Sequence, residues 1–149
     1  MKFKYRAYRN LTSPNVAYGK MPLLQVRLKH GQKYIDLDCL VDSGAGDCLF
    51  STDIADVLGI DLKAAETREY YGIGEIAVTG FVYPVLLNIK GFDEWITIDA
   101  GFINENEMPL LGQSGFFENY EIIFRSYQNR FEIKRMQKMR RRVTRKLSN

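Results

Sequence analysis

Period-two alternation of apolar and polar side chains is the feature that most narrows the folds open to this chain. In residues 23–29, Leu24, Val26 and Leu28 fall on one face and Gln25, Arg27 and Lys29 on the other, the pattern of a strand with one buried side. His30-Gly31-Gln32-Lys33 reads as a turn and residues 34–41 as the returning strand, giving a hairpin. Residues 2–8 alternate basic with apolar or aromatic side chains, and further strand-like runs cover residues 67–71, 76–89 and 95–102. Residues 120–125 and 130–134 read as a last hairpin, turning over Ser126-Tyr127-Gln128-Asn129. Residues 10–20, with Thr12, Ser13, Pro14, Asn15 and Gly19, and the polar stretch 104–107 read as loops. One helix stands out: Ser51 or Thr52 as cap, Ile54, Ala55, Val57 and Leu58 as the inner face, and Gly59 as the stop. One or two helical turns over residues 113–117 would be a second. Many short strands with so little helix predict an all-β barrel or sandwich.

Composition narrows the class further. The chain has 149 residues, 46% of them hydrophobic and 13% aromatic, enough for one globular domain with a real core and too much for a disordered chain. No apolar run approaches the roughly 18 residues of a membrane span. No apolar segment follows the basic start Met1-Lys2-Phe3-Lys4, so a cytoplasmic protein is expected. Two cysteines are too few for a disulfide framework; Cys39 and Cys48 are expected to be buried thiols. A single histidine, His30 in the hairpin turn, leaves little with which to build a metal site. Neither a metal nor another cofactor is expected.

The net charge of +3 conceals an asymmetry. Residues 134–149 carry eight Lys or Arg and no acid, whereas the rest of the chain carries 13 basic and 18 acidic side chains. In this basic tail, Met136, Met139, Val143 and Leu147 recur at spacings of three and four, a thin helical stripe. The stripe predicts a basic C-terminal helix lying on the acidic body, or else contacting nucleic acid or another anionic surface. Base stacking is not suggested, because the tail has no aromatic residue.

Three segments bear on chemistry. In Leu40-Val41-Asp42-Ser43-Gly44-Ala45 a carboxylate directly follows a buried apolar strand, in a turn whose glycine permits close backbone approach. About 30 residues on, Tyr70-Tyr71-Gly72-Ile73-Gly74-Glu75 suits the tip of a hairpin. About 70 residues on, Pro109-Leu110-Leu111-Gly112 is a short buried strand ending at glycine. Taken singly, each is ordinary turn or packing chemistry. In this order, across residues 22–134, they resemble the retropepsin-like aspartic peptidases, most of all the small stand-alone prokaryotic forms.

The resemblance implies a closed barrel-like acid-protease fold with an N-terminal arm (residues 1–21), a peptidase domain (22–134) and a basic tail (135–149). It implies Asp42 as the catalytic aspartate, with Ser43 bracing the paired loops across a dimer axis and Gly44 giving room for substrate backbone. Ala45 and Asp47 would line the cleft, and Gly72, Ile73 and Gly74 would form a flap over a bound peptide. Leu110, Leu111 and Gly112 would pack behind the active loop. Peptide hydrolysis by this route uses two carboxylates, one activating a water and one protonated against the scissile carbonyl. Only one Asp-Ser-Gly is present, so the resemblance implies a homodimer with one Asp42 from each copy. A retropepsin-fold dimer that binds a peptide or protein without cutting it is the alternative. Retroviral members often place an acid just after the Asp-Thr-Gly-Ala and an Arg just after the second glycine, as a stiffening ion pair; here those positions are Gly46 and Gln113. Tyr70 or Tyr71 would be placed to bond toward the cleft, while Trp95 reads as a packing or surface aromatic.

Overall fold

The computed structural model describes residues 1–7, 19–72, 74, 76–104 and 108–136. The C-terminal helix expected of the tail and most of the loop over residues 10–20 lie outside the described residues. The same holds for residues 105–107, Ile73 and Glu75.

The chain begins with β1 (Lys2–Lys4), β2 (Arg6–Ala7) and β3 (Lys20–Met21). The predicted hairpin follows as β4 (Leu23–His30) and β5 (Lys33–Val41), antiparallel with Leu24 opposite Cys39 and Leu28 opposite Ile35. Leu24, Val26 and Leu28 are buried. On the outer face Arg27 grips Asp36 with two bonds of 2.6 and 2.8 Å and lies over the Tyr34 ring. Next come β6 (Leu49–Ser51) and the helix α1 (Thr52–Leu58). Ser51 is the N-cap, its hydroxyl accepting from the Asp53 amide at 3.2 Å, and Gly59 closes the helix in the left-handed region at φ +67°. Then follow β7 (Glu66–Tyr71), the long β8 (Ala77–Ile89), β9 (Ile96–Ile103) and β10 (Leu110–Leu111). The chain returns through β11 (Tyr120–Arg125) and β12 (Arg130–Arg135).

Six strands close into a barrel in the order β4, β5, β10, β6, β9, β8 and back to β4. The length of β8 makes the closure possible. Its first part pairs with β7, its middle with β9, and its end with β4. The β7–β8 hairpin therefore projects beyond the barrel wall as an extension of the sheet. Inside sit Phe50, Phe102, Leu111, Phe116, Leu87 and Ile98, all essentially buried, with α1 closing one side through Ile54, Ala55 and Leu58. His30 fastens that helix: its ring lies 3.2 Å from the Leu58 carbonyl and packs edge-on against Tyr83.

Residues 113–117 depart from the helical turns expected of them and form a run of tight turns. The Gln113 and Ser114 amides are already committed to the carbonyls of Ala45 and Gly46, at 2.9 and 2.8 Å, and Gly115 takes φ +89°. Residues 2–7 are likewise not one strand: the β1–β12 pairing runs on as far as the Tyr5 amide on the Asn129 carbonyl, after which Arg6 and Ala7 pair with Met21 and Lys20. A second sheet has the order β1, β12, β11, with Phe3 stacked on the buried Phe131. Lys134 and Arg135, counted with the basic tail in the sequence, complete β12. No helix among the described residues is long and apolar enough to cross a membrane.

Candidate active site

β5 carries the chain to Asp42 through the buried Val41, bonded to the β4 side and the β10 side up to its end. The Leu40 amide bonds Pro109, the Val41 amide Pro22, and the Asp42 amide the Leu111 carbonyl at 3.0 Å. The loop then folds on the carboxylate itself. The Gly44 amide donates to Asp42 Oδ1 at 2.9 Å and the Ala45 amide to the Asp42 carbonyl at 3.2 Å, the local bonding that Asp supplies in turns. Among the described residues Oδ2 takes no hydrogen bond. Asp42 is half-buried, while Ser43 and Gly44 face solvent.

Behind this loop β10 and its following turn form a second wall. Leu111 is fully buried. Gly112 passes so close to the loop that a Cβ there would lie 2.6 Å from the Asp47 carbonyl carbon and 2.7 Å from the Ala45 oxygen. Only glycine permits this approach. The Gly112 amide points at Cys48 Sγ, 3.4 Å away, and that thiol reaches the Ser114 carbonyl at 3.5 Å. Burial pushes the Cys48 thiol up to about 12, against the opposing pull of the Gly112 amide. Cys48 and the equally buried Cys39 are packing residues. The sequence reading of Gln113 as a missing ion-pair partner overlooked what an amide does there: Gln113 Nε2 donates to the Ser43 carbonyl at 2.7 Å. A neutral hydrogen bond joins the two segments.

Asp47 lies on the same loop with its side chain only 13% exposed, and it accepts a 2.6 Å ion pair from Arg68 of β7. The hairpin above ends its ladder at Tyr71 opposite Ala77. Gly72 and Gly74 occupy its exposed tip, and no described bond joins them to Asp42. Tyr71 points outward and donates to Glu69 at 3.1 Å. Tyr70 turns inward: a Cβ at Gly80 would fall 2.7 Å from its ring and one at Gly101 2.9 Å from its Cζ. Its hydroxyl is buried with no hydrogen-bond partner among the described residues. Burial first, and then the charge of Asp47, push it up to about 12. The signal for this slot was in the sequence, since a glycine inside a strand marks close approach by a neighbour. Ala45, Asp47, Leu110, Leu111 and Gly112 are thus gathered around Asp42, whereas among the described residues no bond joins Gly72 or Gly74 to them.

No family model matches the chain, and no curated protein matches it. Among solved structures, a retropepsin-like aspartic protease from Rickettsia conorii superposes with a TM-score of 0.55 at 17% identity. The match covers 90% of this chain and 98% of that one. At that identity the likeness is one of fold: the chain has the barrel architecture of a retropepsin-like aspartic protease.

Proposed function

We propose that the chain is an aspartic endopeptidase that works as a two-fold homodimer, each copy contributing Asp42. The observation that carries this reading is the presentation of Asp42. Its carboxylate leaves a buried strand, holds its loop through one oxygen and keeps the other free at a half-exposed surface. It does so on a fold shared with a retropepsin-like aspartic protease. Two such carboxylates facing each other share one proton, because two neighbouring charges are costly. The ionised one takes a proton from a water, and the protonated one polarises the scissile carbonyl. Ser43 braces the two loops across the axis, Gly44 admits the substrate backbone, and Ala45 and Asp47 line the cleft. Gly72, Ile73 and Gly74 cover the extended peptide, while Leu110, Leu111 and Gly112 hold the loop from behind. In this reading the basic residues 134–149 are an accessory contact for an anionic surface or nucleic acid.

The test is cleavage of a diverse peptide library between pH 4 and 7.5 by wild type and Asp42→Ala, with the dimer verified by sedimentation. Cleavage by wild type alone supports the dyad; equal cleavage by both assigns the activity elsewhere. A second reading, a dimer that binds peptides without cutting, draws on Gly46 and Gln113, which stand where retroviral members often carry the stiffening ion pair. Peptide binding by a verified dimer that cleaves nothing would establish that reading instead.

A further inference from the structure

β7 presents alternate side chains to opposite sides: Thr67, Glu69 and Tyr71 outward, Glu66, Arg68 and Tyr70 toward the loop that carries Asp42. The inward set is not ordinary surface chemistry. Arg68 spans from β7 to Asp47 at 2.6 Å, and the carboxylate it meets is 13% exposed. The other acid near it, Glu66, is 3.8 Å away and 73% exposed. One turn of alternation further along, the Tyr70 ring fills the gap left by Gly80 of β8 and Gly101 of β9. Beyond Tyr70 no comparable anchor occurs among the described residues of the hairpin: Tyr71 and Ile76 are 70% and 73% exposed.

We infer that Arg68 and Tyr70 are positioning residues that pin the base of the β7–β8 hairpin to the Asp42 loop, Arg68 through Asp47 and Tyr70 by wedging between Gly80 and Gly101. A consequence is that the Asp47 carboxylate is committed to Arg68 and acts on a bound peptide through the hairpin. That last step rests on the peptidase reading; the tether does not.

The experiment is hydrogen–deuterium exchange on the full chain without substrate, comparing wild type with Arg68→Met, Asp47→Asn and Arg68→Lys. Losing a partly buried ion pair should speed exchange in β7 and residues 71–77 by about three- to tenfold in the first two variants. Exchange in β4, β5 and β9 should stay at the wild-type rate. Arg68→Lys, which keeps the charge, should remain within about twofold of wild type. Tyr70→Ala should open the same segment further, whereas Tyr70→Phe, which keeps the wedge, should not. Unchanged exchange in Arg68→Met and Asp47→Asn overturns the tether, as does a uniform rise across the barrel, or an Arg68→Lys variant as fast as Arg68→Met. Because exchange is read without substrate, a chain that cleaves nothing can still show the tether, and one that cleaves can still lack it.

Discussion

The two segments that meet at the candidate site are held in opposite ways. The Asp42 loop is fixed by backbone at nearly every step: Asp42 to Leu111, Gln113 to Ala45, Ser114 to Gly46, with Gly112 pressed against the carbonyls of Ala45 and Asp47. The β7–β8 hairpin is held along most of its length by its own ladder, and among its described residues Arg68 and Tyr70 tie it down by side chains. In the peptidase reading, a group that must keep its place through a reaction belongs on the first kind of support, and a cover that must admit a chain of peptide on the second. The same barrel supplies both because β8 is long enough to close the wall with one end and reach past it with the other.

The largest break in this contrast should come from Gly112→Ala. The methyl has nowhere to go, because both obstructions are backbone. A loss of about 4 kcal/mol or more, or failure to fold, is expected in urea unfolding. A loss under about 1 kcal/mol would mean that the two walls part easily and that the loop is not rigid. Leu111→Ala comes next. Leu111 is fully buried beneath the bond to Asp42, and its truncation should cost about 3 kcal/mol.

Smaller effects test the brace at Gln113. Its amide donates to the Ser43 carbonyl on an exposed surface, so Gln113→Ala should cost about 1 kcal/mol or less. Gln113→Glu, of the same size, should be worse than Ala. An ionised carboxylate has no donor and sets its oxygens against the Ser43 oxygen. If Glu is tolerated as well as Gln, the amide bond contributes nothing to the loop.

Most of the architecture was legible before any coordinates. Leu24, Val26 and Leu28 declare their face by alternation, Ser51 and Gly59 bound the helix by capping, and Asp42-Ser43-Gly44 and Leu110-Leu111-Gly112 mark two segments that the fold brings together. What stayed hidden depends on which segments meet. Residues 113–117 look helical locally, but the segment is held by bonds from the Gln113 and Ser114 amides to Ala45 and Gly46, some 70 residues earlier in the chain, and turns at Gly115 with φ +89°. Nothing in the local pattern of β7 distinguishes Arg68 from Glu69, since the partner of Arg68 lies 21 residues back at Asp47. Likewise Arg135 reads as tail by charge, whereas pairing with Tyr120 of β11 makes it strand. Periodicity and caps are written in neighbouring residues; tethers and braces are written in pairs that only the fold brings together.

The smallest expected effect on stability is the one that most sharpens the contrast. Ile76, just before β8, is 73% exposed. Exposure of that degree means that almost no burial is lost on substitution. Ile76→Ser should therefore shift stability by no more than about 0.5 kcal/mol, roughly 2 °C in melting temperature for a chain of this size. In the peptidase reading, the same variant should raise KM for an extended peptide several-fold while changing kcat less, because the lost contact is with bound chain rather than with the reacting carbonyl. A clear drop in melting temperature would show that Ile76 packs against the barrel after all. The hairpin would then be supported in the same manner as the Asp42 loop, and the division of labour between them would fail.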